Sequence, residues 1–250
     1  MKRLTMYRRL AILLFLLLPP AAEATQVHVA VASNFRPTLE LLAKEWQSNH
    51  QLLISSASTG VLYAQIVHGA PYSLFLAADD KRPIELEQSG TGVNGSRFTY
   101  ARGILALAAP SGTHCKLAMQ LIANAAARSI SIANPATAPF GQAAAQILGE
   151  VDDRVVKGEN VAQALHMFAS GNTQYSLTAL SVLKHWQYTS EPIPASICPL
   201  DTSLYAPIWQ QAVLLDRAKD NVAAKEFLVF LQSSHAQSLI EQAGYLREPM

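Results

Sequence analysis

Charged residues are scarce in this sequence, and neither sign dominates. They make up 15% of the 250 residues, with 19 Lys and Arg against 18 Asp and Glu, and they form no long run of one sign. Removing the first 24 residues takes away four basic residues and one acidic residue, which leaves 15 against 17 and a net charge of about −2. A protein this close to neutral lacks the basic surface that binds nucleic acids or anionic membranes. Any anion that it binds must be held by local geometry.

The sequence also lacks the common catalytic and metal-binding motifs. It contains no H-E-x-x-H, G-x-S-x-G or P-loop pattern. Ser181 and Lys184 fit the S-x-x-K nucleophile pattern of penicillin-binding enzymes, but the accompanying S-D-N and K-T-G patterns are missing. No two histidines are paired at metal-ligand spacing. The seven are His28, His50, His68, His114, His166, His185 and His235. We therefore expect neither an enzyme nor a metal centre, and we keep an S-x-x-K serine hydrolase as the enzymatic alternative.

A hydrophobic run long enough to span a membrane is missing as well, and the apolar run near the N-terminus is short. Four basic residues precede the apolar run Leu10–Leu18, which stops at Pro19-Pro20 and is followed by Ala22-Glu23-Ala24. Spanning a bilayer takes roughly 20 apolar residues, so this run is too short for a membrane anchor. The three regions together predict a secretory signal peptide over residues 1–24, cleaved before Thr25. No cysteine near that position could carry a lipid, so we expect a free, secreted protein.

Only two cysteines are present, Cys115 and Cys198, and both remain after cleavage. An even number of cysteines in a secreted protein favours pairing. Two buried free thiols are the alternative, and the sequence alone does not decide between the two. We expect a disulfide.

What the sequence does contain is a recurring unit of a strand, a short polar loop and an amphipathic helix. In the first unit the apolar run Val27–Ala32 leads into Ser33-Asn34, and apolar residues at helical spacing follow, with Pro37 in the first turn. Similar units begin near Leu52 and near Ser129. This alternation predicts an α/β fold with mainly parallel sheets flanked by helices.

The chain length and two long apolar runs predict how this fold is divided. About 226 residues after cleavage are few for a (β/α)₈ barrel, which takes roughly 250. Two lobes joined by two crossing strands fit better, and the runs 99–109 and 207–215 are the candidate crossings. The second lobe is then an insert. We expect lobe 1 to comprise residues 25–103 and 208–250 and lobe 2 residues 104–207, with a ligand cleft between them.

Four loops bring small polar residues to the start of a predicted helix. They are Ser33-Asn34, Ser58-Thr59-Gly60, the stretch before Phe140, and Asn160-Val161. Helix N-termini present unpaired N–H groups and the positive end of the dipole, so they favour anions. Each loop taken alone is also an ordinary helix cap. Together they indicate an anion site made of donors, which suits a fully deprotonated oxyanion better than protonated phosphate.

Five segments spread over the chain carry a more specific signal. They are VASNFRPTLELLAKEW, ISSASTGVLYAQIVHGAPYSLFLAADDKRP, GSRFTYARG, SIANPATAPFGQAA and AVLL…AGYL. In this order they resemble the periplasmic molybdate-binding proteins of ABC transporters, and the likeness covers nearly the whole chain after residue 24. Its most specific part is STGVLYAQIVHGAPYSLFLAAD, whose loop, helix and following strand all match.

This resemblance implies a type II periplasmic-binding fold, in which two α/β lobes close over a dehydrated tetrahedral oxyanion. The anion is molybdate or tungstate, no cofactor is involved, and a periplasmic monomer hands the anion to a membrane permease. Two alternatives stay open. The same fold can bind another oxyanion such as sulfate, or the protein can serve a sensor instead of a transporter.

The resemblance also implies which residues hold the anion. The first loop contributes the hydroxyl and backbone N–H of Ser33 and the side chain of Asn34, and the second loop contributes the hydroxyl of Thr59. In the far lobe the donors are the backbone N–H groups of Phe140 and Val161. Arg36 is expected at the surface or between the lobes, since an Arg is easily accommodated there.

Two positions separate branches of the family. One branch uses a Tyr hydroxyl from a late strand, where this chain reads Leu177-Thr178-Ala179. Because no Tyr is present, the chain sides with the branch that has an Asn in the first loop, here Asn34. Phe140 stands where relatives often have Tyr, but the expected contact there is made by the backbone.

Overall fold

The structure is a computed structural model that describes residues 25–124, 126–149, 153–188 and 194–247. The predicted signal peptide, residues 1–24, lies outside the described residues. Within these ranges no helix combines the length and the apolar character needed to cross a bilayer.

Strands and helices alternate along the chain, as the sequence predicts. The strands are β1 (Gln26–Ala32), β2 (Gln51–Ala57), β3 (Leu74–Leu76), β4 (Phe98–Gly103), β5 (Leu105–Pro110), β6 (Ile130–Ala133), β7 (Val155–Gly158), β8 (Tyr175–Ala179), β9 (Ala195–Pro199) and β10 (Ile208–Leu214). The helices are α1 (Arg36–Glu45), α2 (Thr59–Val67), α3 (Lys81–Gln88), α4 (Cys115–Ala123), α5 (Pro139–Leu148), α6 (Val161–Ala169), α7 (Leu180–Gln187), α8 (Val222–Gln232) and α9 (Ser234–Gln242). Two short 3₁₀ helices span Thr202–Leu204 and Asp216–Ala218.

The strands form two five-stranded sheets, and each sheet is the centre of one lobe. The first sheet has the order β2-β1-β3-β10-β4, and the second has the order β7-β6-β8-β5-β9. The first lobe therefore uses strands from both ends of the chain, and the second uses five strands that are consecutive in sequence.

Both sheets are mixed, which differs from the mainly parallel sheets expected from the sequence. In each sheet the three strands at one side pair in parallel, whereas the remaining two pairings are antiparallel. The antiparallel strands are those that carry the chain from one sheet to the other, β4 with β10 and β5 with β9. A strand that leaves one sheet and a strand that returns to it run in opposite directions, and alternation of elements does not reveal this.

The lobes are joined by two connections of unequal length. β4 ends at Gly103 and β5 begins at Leu105, so the predicted run 99–109 is two strands separated by Ile104 alone. The return from β9 to β10 takes residues 200–207 and includes a short 3₁₀ helix. The chain therefore passes from the first sheet into the second almost as one continuous strand.

Local sequence explains the central strands and the helix that follows them. In β1 the β-branched residues Val27, Val29 and Val31 are fully buried on one face, and Ala30 and Ala32 are buried on the other, as expected for a strand covered on both faces. α1 begins with Arg36-Pro37, where a proline costs no hydrogen bond. Leu39 and Leu42 lie on its buried face.

Cys115 and Cys198 form a disulfide that joins the start of α4 to β9, with their Cα atoms 5.4 Å apart. Both residues belong to the second lobe. Cys198 is buried in the hydrophobic core of the second lobe, which includes residues of β5, β6 and β8. A separate core fills the first lobe around β1, α1 and α8.

Candidate functional site

A small cavity lies between the two lobes, and its empty space, counted together with the adjoining open solvent, is about 180 Å³. All five residues predicted from the sequence line it: Ser33, Asn34, Thr59, Phe140 and Val161. Ser58 and small apolar residues such as Ala32 and Ala78 complete the wall. We refer to this space as the interlobe cavity.

The first lobe contributes the ends of two neighbouring parallel strands. β1 pairs with β2 up to Ala32 and Ala57, and the N–H of Ser33 donates to the carbonyl of Ala57 at 3.0 Å. This N–H is therefore not available to an anion as expected from the sequence, and only the Ser33 hydroxyl remains. The loops that follow these strands therefore emerge side by side, at the strand ends where open α/β sheets bind ligands. This pairing places the hydroxyls of Ser33 and Thr59 on the same wall.

The second lobe contributes the N-termini of α5 and α6. Pro139 opens α5 and Phe140 follows it. Asn160 caps α6, because its side-chain oxygen accepts from the N–H groups of Ala162 at 3.0 Å and Gln163 at 3.1 Å. That cap leaves the N–H of Val161 available to the cavity.

Four backbone N–H groups on the cavity wall are not used by other parts of the described chain. Thr59, Phe140 and Val161 each lie in the first turn of a helix, where an N–H has no partner within the helix. The N–H of Asn34, in the turn between β1 and α1, likewise donates to no other described group. Three helix N-termini also contribute the positive ends of their dipoles.

Hydroxyl groups add further donors. The Thr59 hydroxyl oxygen accepts from the N–H of Ala78 at 3.0 Å, which fixes the side chain and leaves its proton free to donate. The Ser33 hydroxyl bonds to no other described residue and lies half-buried at the cavity. The cavity is therefore lined by donors.

Asn34 lines the cavity but does not direct its side-chain donor into it. Its Nδ2 donates to Gln210 Oε1 at 2.8 Å and to the Tyr245 hydroxyl at 3.2 Å. Since both amide protons are used, the expected side-chain contact with an anion does not fit this arrangement. The backbone N–H of Asn34 is the donor that remains.

The buried contacts of Asn34 extend into a network beneath the cavity. Tyr245 donates to the Asn34 carbonyl at 2.8 Å, and the Tyr100 hydroxyl lies 3.1 Å from Gln210 Oε1 and 3.0 Å from the Ala77 carbonyl. Burial raises the pKa of the Tyr100 and Tyr245 hydroxyls well above their ordinary value. Both tyrosines are therefore neutral at neutral pH and can act as donors.

Among the described residues that line the cavity, none carries a charge. Arg36, the one basic residue in the first loop region, pairs at the surface with Glu40 at 2.8 Å. A partly buried ion pair of Asp79 with Arg82 lies in an adjoining cleft that shares Ala78 and Pro139 with the cavity wall. Burial raises the pKa of the Asp79 carboxyl, and the nearby Arg82 guanidinium opposes that shift.

The two lobes touch each other around the cavity. The N–H of Gly60, in the first turn of α2, donates to the carbonyl of Thr137 in the second lobe at 2.8 Å. A Cβ at this glycine would lie 3.0 Å from both the Cα and the carbonyl oxygen of Thr137. The lobes are therefore closed over the cavity, and Gly60 allows the close approach.

Ser181 and Lys184 are not arranged as a catalytic pair. The Ser181 hydroxyl is buried and donates to the carbonyl of Asn34 at 3.2 Å, which is a second contact between the lobes. The Lys184 ammonium donates to the carbonyl of Gln242 at 3.2 Å. A serine nucleophile requires a base within hydrogen-bond reach, and here both groups are engaged elsewhere.

Gln210 and Tyr245 are missing from the sequence-based prediction, and Ser58 was predicted only as part of the second loop, not as a ligand-binding residue. Gln210 interrupts the apolar run of β10, and a polar residue in such a run is a signal of a buried network. Tyr245 lies in AGYL, one of the segments that carry the family resemblance, but its contact with Asn34 spans 211 residues of sequence.

Comparison with known proteins gives consistent matches over almost the whole chain. Residues 27–246 match the family described as bacterial extracellular solute-binding protein. The molybdate-binding protein ModA of Azotobacter vinelandii is 38% identical over 238 residues, which cover 92% of this chain and 93% of the relative. The ModA of Rhodobacter capsulatus is 34% identical over 249 residues, covering 96% and 94%.

A solved structure agrees with these sequence matches. The periplasmic molybdate-binding protein of Azotobacter vinelandii superimposes with a TM-score of 0.81 at 36% identity, and the match covers 89% of this chain and all of that structure. The two mixed sheets described above are thus those of a periplasmic-binding-protein fold.

Proposed function

We propose, from the premise that this chain belongs to the bacterial extracellular solute-binding proteins and groups with their molybdate-binding members, that it captures molybdate or tungstate for an ABC transporter. The anion is its ligand, and the protein needs no cofactor. It acts as a non-enzymatic monomer in the periplasm after removal of residues 1–24, without a lipid, and it delivers the anion to a membrane permease.

The observation that carries this proposal is the interlobe cavity lined by donors from both lobes. Six groups can donate to one anion: the backbone N–H of Asn34, Thr59, Phe140 and Val161 and the hydroxyls of Ser33 and Thr59. A fully deprotonated tetrahedral oxyanion has only acceptors, so it can satisfy all of them. We propose these five residues as the ligand-binding set.

The number of donors is sufficient for tight binding without a salt bridge. A hydrogen bond to a charged partner contributes roughly 1.5–3 kcal/mol. Six such bonds, reduced by the costs of association and desolvation, can reach about −8 to −12 kcal/mol, which corresponds to micromolar to nanomolar dissociation constants.

Closure of the lobes is the signal that we propose the permease recognises. Lobe 1 comprises residues 25–103 and 208–250, and lobe 2 comprises residues 104–207. Ile104 and residues 200–207 act as the two hinges, because these short segments alone carry the chain between the sheets. A few residues at the ends of elements commonly absorb such a rotation.

Calorimetric titration of the mature protein with molybdate, tungstate, sulfate and phosphate tests the proposed ligand. We expect micromolar or tighter binding of molybdate and tungstate. Tight binding of sulfate without binding of molybdate would overturn this assignment and leave the second candidate, a sulfate-binding protein of the same fold. That candidate has the same donor set, since sulfate is also a tetrahedral dianion.

A further inference from the structure

Ser58 occupies the N-cap of α2, but its side chain does not act as a cap. A serine at this position normally accepts a hydrogen bond from an N–H in the first helical turn, and no such bond is made here. Asn160, Asn221 and Ser233, at the N-caps of α6, α8 and α9, all accept from their helices. Helix capping therefore does not explain the hydroxyl of Ser58.

The same hydroxyl is buried and has no partner. Ser58 is 4% exposed, and its Oγ is one of the few buried side-chain atoms without a hydrogen bond among the described residues. Leaving a buried hydroxyl unsatisfied costs free energy, and such groups in folded proteins are rare enough to need a reason.

The position of Ser58 explains why its hydroxyl is left unpaired by the protein. Ser58 lines the interlobe cavity beside Thr59, and the hydrogen bond from the Ser33 N–H to the Ala57 carbonyl holds its loop against the first loop. The hydroxyl oxygen of Thr59 already accepts a hydrogen bond from the N–H of Ala78. Ser58 is not tied to the protein in this way, so its hydroxyl can turn towards whatever occupies the cavity.

We infer that Ser58 is a further ligand-binding residue, which donates its hydroxyl proton to an oxygen of the bound oxyanion. This inference rests on the proposed function and deepens it, because it adds a third hydroxyl to those of Ser33 and Thr59. The ligand satisfies a group that the protein alone leaves unpaired. Binding therefore removes an unfavourable feature of the closed protein in addition to making a hydrogen bond.

The test compares Ser58→Ala with Ser233→Ala, the loss of a serine that does cap its helix. Molybdate affinity is measured by calorimetry, and the midpoint of thermal unfolding, Tm, is measured without ligand. For Ser58→Ala we expect at least tenfold weaker binding with a Tm equal to or above that of the unmodified protein. For Ser233→Ala we expect a lower Tm and unchanged affinity.

Two results would overturn the inference. One is an unchanged affinity in Ser58→Ala, and the other is a loss of affinity accompanied by a Tm that falls as it does in Ser233→Ala, which would assign Ser58 a structural role. The unmodified protein separates this failure from failure of the proposed function. If it binds molybdate, only the role of Ser58 is at stake, whereas no binding of molybdate or tungstate by it would refute both.

Discussion

Asn34 lines the interlobe cavity with its main chain and stabilises the surrounding structure with its side chain. Its amide contacts Gln210 of β10 and Tyr245 near the C-terminus, and its carbonyl accepts from Tyr245 and from Ser181 of the other lobe. One residue thus connects the first loop, a strand next to the hinge and both lobes. Its replacement would alter the shape of the loop as well as the donor that the loop presents.

Thr59 gives the most direct test of side-chain donors at the single-residue scale. We expect Thr59→Ala to weaken molybdate binding by tenfold or more, about 1.4 kcal/mol, because a hydroxyl donor to a charged ligand is lost. Thr59→Ser retains the hydroxyl and is expected to bind within a few-fold of the unmodified protein. Equal affinities of all three proteins by calorimetry would remove the Thr59 hydroxyl from the ligand shell.

The raised pKa of Tyr245 predicts how the free energy of unfolding depends on pH. Burial raises its pKa above the value of about 10 that it has in the unfolded chain. Above about pH 10 the unfolded chain loses this proton while the folded protein keeps it, so the free energy of unfolding falls as pH rises. Below about pH 10 the contribution is fully present.

We expect Tyr245→Phe to be less stable than the unmodified protein by about 1 kcal/mol at neutral pH, because the Asn34 carbonyl loses a donor. Its stability should fall less steeply above about pH 10, since one shifted group is gone. Urea unfolding at several pH values measures both effects. Tyr188→Phe is the control, since Tyr188 is 87% exposed. A decline as steep as that of the unmodified protein would contradict the assignment.

Single residues of the site differ in how far the sequence could predict them. Ser33, Thr59, Phe140 and Val161 follow strands or begin helices, so local pattern and the family resemblance indicate them. The side-chain role of Asn34 could not be read in this way. Its partners Gln210 and Tyr245 are 176 and 211 residues away in sequence, and only the folded chain shows that they use its amide protons.

At the scale of secondary-structure elements, the site depends on where helices begin. α5 is held close to β6 through Gly141: a Cβ there would lie 2.2 Å from the carbonyl oxygen of Ala133. The close packing sets the position of the preceding residue, Phe140, and hence of its N–H. The N-terminus of α5 can therefore lie this close to β6 because Gly141 has no side chain.

Gly141→Ala tests this packing. We expect a loss of about 1–3 kcal/mol in the free energy of unfolding, because the added methyl must push α5 away from β6. Molybdate binding should also weaken by tenfold or more as the Phe140 N–H moves. Gln142→Ala, at the next and exposed position, should change neither quantity. Denaturant unfolding and calorimetry suffice, and full stability of Gly141→Ala would show that the helix start adapts.

The elements themselves were predicted well where hydrophobic periodicity was strong. The strand expected over Val27–Ala32 and the amphipathic helix after it, with Pro37 in its first turn, are observed as β1 and α1. The run 99–109 was misread as one strand, because only the apolar residue Ile104 separates β4 from β5. Strand direction was missed for a similar reason, since an apolar strand has the same composition in either direction.

At the scale of the whole molecule, contacts between protein groups hold the lobes together around the cavity. The Gly60 N–H bonds to the Thr137 carbonyl, and the Ser181 hydroxyl bonds to the Asn34 carbonyl. These bonds need no anion, so they favour the closed arrangement independently of the ligand. Ligand binding then shifts further an equilibrium between open and closed lobes that these bonds already shift towards the closed form.

Ser181→Ala should shift that equilibrium towards open lobes. We expect a larger radius of gyration of the ligand-free protein in small-angle X-ray scattering. We also expect molybdate affinity about two- to tenfold lower, the value of one net hydrogen bond. Gln187→Ala, on an exposed position of the same helix, is the control. If Ser181→Ala matches the unmodified protein in both measurements, this hydrogen bond does not contribute to closure.

The uncharged lining of the interlobe cavity has a consequence for proton exchange. Serine, threonine and peptide groups neither gain nor lose protons near neutral pH, and no titrating side chain lines the wall that the described residues form. Capture of the anion therefore requires no proton uptake or release by the wall. Any acid sensitivity of capture that arises within the cavity near neutrality should therefore follow the protonation of the oxyanion itself.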